Sequence, residues 1–303
     1  ATAGTDAITI TVDAGVAAAT DLTGLDSKTS VAVGATAVTE LTGSAAEIAA
    51  VIAAHNADQS TITLDDDYTV KITGEVAAKV DELVAINNDT SGTITLNPAT
   101  DSANWSDTAA NLAAAFDGIT SLTGTVAITG DDPTIVQLNA IAGATTGIVT
   151  ASIGGTAAAL NDGETGLATA GTDAITITVD AGVAAATDLT GLDSKTSVAV
   201  GATAVTELTG SAAEIAAVIA AHNADQSTIT LDDDYTVKIT GEVAAKVDEL
   251  VAINNDTSGT ITLNPATDSA NWSDTAANLA AAFDGITSLT GTVAITGDDP
   301  TIV

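Results

Sequence analysis

The stretch "SAAEIAAVIAAHNADQSTITL" at residues 44–64 recurs letter for letter at residues 211–231. In its first part, Ser44 and Glu47 have the spacing of a capping box, which supplies partners for free amide groups at a helix start. The aliphatic residues that follow are spaced i, i+3 and i+4, which predicts a helix with one apolar stripe. The closing "STITL" alternates polar and β-branched residues, which predicts a strand. The stretch is therefore a helix-then-strand segment.

The duplication extends far beyond this stretch. Residues 1–136 equal residues 168–303 at every position, and residues 137–167 occur once. The chain is therefore one full repeat copy, residues 1–167, followed by a truncated second copy. We expect it to belong to a longer array of such repeats.

A shorter period exists inside each copy. A pair of alanines followed by an aliphatic residue recurs and, 12 to 15 residues later, is followed by a Thr/Ser-Gly break and a β-branched run such as "TSGTITL" at 90–96. The nearly constant distance from anchor to break predicts a fixed helical segment with loops of adjustable length. The full copy then contains six sub-units of about 28 residues. The predicted helices begin near Ala17, Ala45, Ala77, Ala109, Ile135 and Ala157.

The runs after the breaks predict the strands. They include "STITL", "YTVKIT", "GTITL", "TVAIT" and "AITITV". Helix and strand alternating without long linkers imply parallel strands and right-handed connections. One such segment cannot bury its own apolar face, so neighbouring segments must stack. The predicted fold is an α/β repeat protein, a right-handed solenoid of short helix-plus-strand units. The alternative is a string of tandem β-rich domains, one for each repeat.

Composition limits the partners. Forty acidic residues oppose six lysines and no arginine, which gives a formal net charge of −34. This balance argues against binding nucleic acid, which requires lysine and arginine to neutralise phosphate, and against docking on anionic lipid. No apolar run is long enough for a membrane span. The chain has neither cysteine nor methionine, so it offers no disulfide and no sulfur to oxidise, which is compatible with an extracellular or cell-surface location.

The sequence holds little that points to catalysis. Histidine occurs once in each copy, at His55 and His222, where a cation near the end of a helix is mildly stabilising. The motifs HExxH, GxxxxGK and GxSxG are missing from the sequence. Paired carboxylates can hydrolyse glycosides, but aromatic residues that would stack on a sugar make up only 2% of the chain. We predict a structural histidine and no enzyme.

Acidic clusters are the best ligand candidates. Calcium takes carboxylate and carbonyl oxygens, which loops rich in Gly and Asp can present. The clusters match neither the EF-hand loop nor the glycine-rich nonapeptide repeat, and each also fits a charged turn. No cofactor is required. The calcium candidates are Asp65, Asp66, Asp67, Asp131, Asp132, Asp162 and Glu164.

Three phrases have a familiar pattern: "LDSKTSVAVGATAV" at 25–38, "VTELTGSAAEIAAVI" at 38–52 and "LVAINNDTSGTITL" at 83–96. They resemble the LTGTAA…L…LD…TSG repeats of giant surface and secreted proteins of cyanobacteria, including the type linked to swimming in marine unicellular strains. "NPATDSANWSD" at 97–107 departs from that pattern. The resemblance implies an extracellular repeat protein with a structural or adhesive role. It implies no catalytic residue.

These observations lead to three hypotheses. The first is a structural repeat segment of a large surface, filament or sheath protein that self-assembles or extends from the cell, because an extender gains length from duplication. The second is an adhesin stalk whose binding module lies elsewhere. The third is a calcium- or glycan-binding solenoid module, or a carbohydrate-active enzyme on such a scaffold. The expected partners are the chain itself, through neighbouring repeats, and a cell-surface polysaccharide.

Overall fold

The computed structural model describes residues 6–57, 60–130, 132–224, 226–241, 243–286 and 289–297. The chain divides into two compact units, Ala1–Ala151 and Ser152–Val303. The sequence copies, in contrast, join between Leu167 and Ala168.

Helices and strands alternate along the first unit. Its elements are β1 (Gly15–Ala18), α1 (Ala19–Asp26), β2 (Val33–Gly34), β3 (Val38–Gly43), α2 (Ala45–His55), β4 (Ile62–Thr63), β5 (Thr69–Ile72), α3 (Val80–Asp89), β6 (Ile94–Thr95), α4 (Pro98–Asp101), β7 (Trp105–Asp107), α5 (Ala109–Ala115), β8 (Val126–Ile128) and α6 (Ile135–Ala144). Strand β9 (Val149–Gly155) follows and ends in the second unit.

The second unit repeats the same alternation. Its elements are α7 (Ala157–Leu160), β10 (Ala174–Val179), β11 (Gly182–Ala185), α8 (Ala186–Asp193), β12 (Val200–Gly201), β13 (Val205–Gly210), α9 (Ala212–His222), β14 (Ile229–Thr230), β15 (Thr236–Ile239), α10 (Val247–Asp256), β16 (Ile261–Thr262), α11 (Pro265–Asp268), β17 (Trp272–Asp274), α12 (Ala276–Ala282) and β18 (Val293–Ile295).

The strands form parallel rows in which each strand pairs with one from the next helix-plus-strand segment. In the first unit the rows are β1-β3-β5-β6, β2-β4 and β7-β8-β9. In the second unit they are β11-β13-β15-β16, β10-β12-β14 and β17-β18. The predicted α/β class and parallel strands are therefore confirmed.

The helices also contact one another in chain order. In the first unit α1 contacts α2, α2 contacts α3, α3 contacts α5 and α5 contacts α6. In the second unit the order is α7, α8, α9, α10 and α12. Apolar side chains between helices and strands form the core; Ile48 of α2 and Leu41 of β3 are fully buried. Burying one such side chain contributes about 1.5–3 kcal/mol, so the core is a series of small contributions, one from each segment.

Four of the six predicted helix starts are confirmed at Ala45, Ala109, Ile135 and Ala157. The capping box at the start of α2 is present, since the Ser44 amide donates to Glu47 Oε2 at 2.8 Å and the Glu47 amide donates to Ser44 Oγ at 3.3 Å. Local sequence is sufficient at these starts because the capping residues are adjacent to the helices that they cap.

The other two starts were wrong by two or three residues. Ala17 lies in β1, where its backbone pairs with Leu41 of the next segment, and the helix begins at Ala19. Helix α3 begins at Val80 instead of Ala77. The Ala78 amide donates to Thr100 Oγ1 at 2.9 Å and so holds the preceding residues in an extended path. In both cases a long-range hydrogen bond overrides the local pattern.

The irregular stretch at 97–107 contains a helix that the sequence did not predict. In α4, Pro98 occupies the first turn and the Asn97 side chain accepts from the Thr100 amide at 2.7 Å. Asn97 Nδ2 also donates to the Gly74 carbonyl at 3.0 Å. The following tryptophan, Trp105, is buried in β7. Asn97 thus ties this short helix to the preceding segment.

The sequence "AITITV" adopts two structures. At 174–179 it is strand β10, as predicted, whereas at 7–12 the same prediction is wrong and only Thr11 forms an isolated bridge, to Gly34. Ile175 is 0% exposed and its counterpart Ile8 is 44% exposed. Since the letters are identical, neighbouring residues decide whether this sequence becomes a strand.

The Thr/Ser-Gly break is the turn that joins one segment to the segment before it. Thr90 Oγ1 donates to the Tyr68 carbonyl, and the Gly92 amide donates to Thr90 Oγ1 at 3.0 Å. A Cβ added at Gly92 would lie 2.1 Å from the Tyr68 carbonyl oxygen. The same arrangement occurs at Thr145–Gly147, where the Cβ would lie 2.1 Å from the Gly124 oxygen. Glycine is required because the backbones touch.

We predict that Gly92→Ala lowers the free energy of unfolding by roughly 2–3 kcal/mol, because overpacking forces the backbone to shift. Urea unfolding followed by circular dichroism measures the change. Gly143→Ala in α6 is the matched control, since nothing lies within 4 Å of its added Cβ. The control is expected to leave stability unchanged or to raise it by up to about 1 kcal/mol. Equal stabilities for the two variants would contradict the close-approach explanation.

Candidate functional site

A polar cleft of about 840 Å³ in the second unit is the strongest candidate site. The last turns of α9 and α10 form its walls, and the turn after α10, the loop between β14 and β15 and Asp284 after α12 complete it. Its lining combines amide, carboxylate, imidazole and hydroxyl groups. The polar lining residues are His222, Asn223, Asp233, Asn254, Asn255, Asp256, Thr257, Ser258 and Asp284.

Asp256 is the central hydrogen-bond acceptor of this cleft. Its Oδ2 accepts a 2.5 Å hydrogen bond from the Tyr235 hydroxyl, and its Oδ1 accepts from Asn223 Nδ2. Burial, and then the hydrogen bond to Asp256, raise the pKa of Tyr235 far above its ordinary value. The tyrosine therefore stays a neutral donor. Because these groups come from α9, from α10 and from the loop before β15, the network joins three elements.

The first copy contains the same network. Asn56 Nδ2 donates to Asp89 Oδ1 at 2.6 Å, and the Tyr68 hydroxyl donates to Asp89 Oδ2 at 2.5 Å. Burial and the bond to Asp89 raise the pKa of Tyr68 in the same direction. Sequence reasoning missed this network in both copies. The available signal was an aspartate in the last helical turn, in "AINND" at 85–89, where it opposes the helix dipole and therefore needs a partner.

The histidine lies at the end of its helix, as predicted. His222 Nδ1 is 3.2 Å from both the Ile229 carbonyl oxygen and the Leu231 amide nitrogen. One nitrogen can serve only one of these at a time, donating to the carbonyl or accepting from the amide. Either bond fastens the end of α9 to β14 and the residue after it.

The hydroxyl group of the serine in the cleft is also engaged in a hydrogen bond to the backbone. Ser258 Oγ donates to the Asp233 carbonyl at 3.1 Å. A nucleophilic serine needs a base within hydrogen-bond reach, and His222 Nδ1 faces the backbone near β14 instead. The hydrogen bonds of Ser258 and His222 among the described residues therefore form no such pair. The absence of enzymatic activity remains a prediction.

Asp65, Asp66 and Asp67 follow β4, and all three are exposed. Asp65 Oδ1 accepts from the Asp66 amide at 3.0 Å. The Asp66 carbonyl accepts from both the amide and the hydroxyl of Ser91, at 2.8 and 3.0 Å. Of the three equivalent aspartates in the second copy, only Asp233, which corresponds to Asp66, lines the cleft. Asp65, Asp66 and Asp67 therefore form a turn, and the backbone carbonyl of Asp66 binds Ser91 at the start of the next segment.

Asp162 and Glu164 lie in the turn after α7. Asp162 Oδ1 accepts from the Thr165 amide at 2.7 Å, from the Glu164 amide at 2.9 Å and from Thr165 Oγ1 at 2.9 Å. These hydrogen bonds, the Thr165 amide foremost, lower the pKa of Asp162 below its ordinary value. Hydrogen bonds within this turn therefore occupy one carboxylate oxygen of Asp162, Oδ1.

Asp132 lines a small pocket of about 290 Å³ with Gln137 near the starts of α5 and α6, and Asp131 lies outside the described residues. Among the residues that the structure describes, no group of three or more His, Asp or Glu side chains is placed to hold a metal ion. Calcium binding therefore remains a prediction from sequence.

None of the described helices combines the length and the apolar character that crossing a bilayer requires. Comparison of the chain with models of protein families, with curated protein sequences and with solved structures found no match. The resemblance to cyanobacterial surface repeats therefore stays an expectation from the quoted phrases.

We predict that Tyr68→Phe lowers the free energy of unfolding by roughly 1.5–3 kcal/mol, the usual contribution of a hydrogen bond to a charged group. Urea unfolding measures the change. Tyr235→Phe should cost a similar amount, because its network is the same. Asn88→Ala, at an exposed neighbour of Asp89, is the control and should change little. Unchanged stability in both tyrosine variants would show that the networks make no net contribution to the free energy of unfolding.

Proposed function

We propose that the chain is a length-building structural segment of a large extracellular surface, filament or sheath protein, folded as an α/β solenoid. The observation that carries the proposal is the order of contacts: within each unit, strand rows and helices contact their neighbours in chain order. Such an arrangement grows by adding segments at one edge, and each segment contacts only its neighbours. Duplication of a whole repeat then adds length without a new interface.

The surface chemistry supports the same role. A net charge of −34 keeps long chains apart and soluble, and a chain without cysteine or methionine withstands oxidation outside a cell. The resemblance of the repeat phrases to cyanobacterial surface proteins points to the same location. An adhesin stalk is the closest alternative, because it also needs length and differs only in what it carries.

Length measurement tests this proposal. Chains of one, two and three 167-residue repeats are purified, and their maximum dimensions are measured by small-angle X-ray scattering and negative-stain microscopy. The sequence predicts six segments in each repeat; neighbouring strands are about 4.8 Å apart and packed helices about 8–10 Å apart. We expect each repeat to add about 30–60 Å. A much larger increment would indicate separate domains on a string, and no increment would reject the extender role.

The cleft favours a second candidate, a glycan-binding module. Its amides and carboxylates are the kinds of polar group that fix a ligand's orientation in a binding site, and sugar hydroxyls both donate and accept hydrogen bonds. Asn255 and Asp284 are exposed in the cleft and are not part of the Asp256 network.

This candidate predicts that the chain is retained on a column of immobilised neutral polysaccharide. The double variant Asn255→Ala with Asp284→Ala should elute at least several-fold earlier. Val136→Ala, an exposed position outside the cleft, is the control. Equal elution of all three proteins would remove the cleft as a glycan site.

A further inference from the structure

Two matching pockets lie beside the last strand of a parallel row, one in each unit. Strand β6 ends the row β1-β3-β5-β6, and β16 ends the row β11-β13-β15-β16. The pocket beside β6 has a volume of about 340 Å³ and the pocket beside β16 about 440 Å³. We call them the Asp101 pocket and the Asp268 pocket. The equivalent lining residues are Ile94, Thr95, Leu96, Pro98 and Asp101 in the first copy and Ile261, Thr262, Leu263, Pro265 and Asp268 in the second.

Helix α4 holds the aspartate of the first pocket in place beside β6. Asn97, which precedes α4, is buried, and its Nδ2 donates to the carbonyls of Gly74 at 3.0 Å and Val76 at 3.1 Å. At the other end of the helix, the Asp101 carbonyl accepts from the Thr123 amide at 2.9 Å. Equivalent bonds surround α11 in the second copy. The pocket wall is therefore fixed at both ends of the short helix.

Among the described residues, the carboxylates of Asp101 and Asp268 lack a counter-charge, since no lysine nitrogen lies within ion-pair distance of either. In the same part of the chain, Oδ1 of each aspartate is buried and accepts no hydrogen bond. Asp268 Oδ2 accepts from Thr290 Oγ1 at 3.3 Å and retains further acceptor capacity. Because burying part of a charge without a partner is unfavourable, a cation that enters either pocket is stabilised.

The burial of Oδ1 selects one kind of cation. A guanidinium group binds a carboxylate best through parallel hydrogen bonds to both oxygens, and here one of the two oxygens is buried. An ammonium group is a compact charge with three donors, so a single accessible oxygen and nearby hydroxyl groups suit it. Thr95 and Ser121 supply hydroxyl groups in the Asp101 pocket.

The other walls of the Asp101 pocket are aliphatic. Ile94 and Leu96 are half-buried and Pro98 is exposed, and all three line the pocket. The volumes of both pockets lie in the usual range for small-ligand sites and are large enough for a chain of the length of a lysine side chain. Such a chain buries its methylene groups on apolar surface while its charged end meets a polar group. The pocket therefore matches an alkyl chain that ends in a positive charge.

We propose that the Asp101 and Asp268 pockets bind an alkylammonium group, the chemistry shared by a lysine side chain of a partner protein and by a free polyamine. The aspartate Oδ2 and the neighbouring hydroxyl groups accept hydrogen bonds from the ammonium, and the aliphatic walls contact the carbon chain. This site is separate from the cleft at Asp256 and does not depend on the proposed structural role.

The test is a titration of the full 303-residue chain, labelled with a nitrogen isotope and followed by NMR. Salt at about 0.15 M limits non-specific attraction to the acidic surface, because the Debye length is then about 8 Å. The probes are Nα-acetyl-lysine amide and putrescine, with the amides of Nα-acetyl-arginine and Nα-acetyl-norleucine as controls. We expect saturable shifts of the Thr95, Leu96 and Asp101 amides and of their counterparts. The arginine amide should bind at least threefold more weakly, and the uncharged norleucine amide should not saturate.

The double variant Asp101→Asn with Asp268→Asn should weaken binding of the lysine amide at least fivefold. Asp81→Asn with Asp248→Asn is the matched control, because it removes the same charge at exposed positions outside the pockets. The control should bind as the unmodified chain does. Urea unfolding establishes that each variant is folded.

A second double variant, Thr95→Phe with Thr262→Phe, fills the pockets and leaves both carboxylates in place. Both threonines are exposed, and aromatic residues are well tolerated in strands, so this variant should fold and lose binding. It keeps the proposal testable if the aspartate variants unfold.

The two probes distinguish the source of the ligand. Tighter binding of the lysine amide assigns the pockets to a lysine of a partner protein, and tighter binding of putrescine assigns them to a free polyamine. The proposal is overturned by shifts that never saturate, by equal binding to the unmodified chain and to the Asp101 and Asp268 variant, or by equal binding of the arginine or norleucine amide. None of these results bears on the length added per repeat, which is measured without a ligand.

Discussion

The close approach of two backbones at the Thr/Ser-Gly turn is the constraint on which the rest of each unit depends. At Thr90–Gly92 the backbone lies so near the Tyr68 carbonyl that a single methyl group would not fit, and the threonine hydroxyl bonds to that same carbonyl. This contact sets the position of one segment relative to the preceding one. The strand that follows then falls into parallel register, and the helices are brought side by side.

The small number of buried residues in each segment follows from this side-by-side arrangement of segments. Each segment contributes a few buried aliphatic residues, and alanines let the helices lie close together. In the part of the chain that the structure describes, the buried aliphatic side chains are spread over many segments, so small polar networks contribute more to stability than they would beside a larger core. The Tyr68–Asp89–Asn56 network is one of these, because it fastens the ends of two neighbouring helices to the loop between β4 and β5.

Features set by neighbouring residues could be predicted from the sequence, and features set by distant ones could not. The cap at Ser44 and the helix start at Ala109 depend on residues within one turn. The strand prediction at 7–12 failed because the strand state depends on partners outside the stretch itself: beside the identical residues 174–179, the Asp180 amide donates to the Gly155 carbonyl. The cleft escaped notice for the same reason: Asn223 and Asp256 are 33 residues apart in the chain. Only the acidic character of the site was visible in the composition.

The Thr/Ser-Gly turns have nearly the same structure in each segment, whereas the connections between paired strands differ in length. Paired residues are 23 positions apart between β8 and β9, where Val126 pairs with Val149, and 29 positions apart between β3 and β5, where Leu41 pairs with Val70. A difference of six residues is therefore accommodated between the strands without disturbing the parallel pairing. Closing a somewhat longer loop costs little entropy, and exposed loops are the sites where proteins accept inserted peptides. The fold is for this reason suited to carry foreign sequences at regular intervals along its surface.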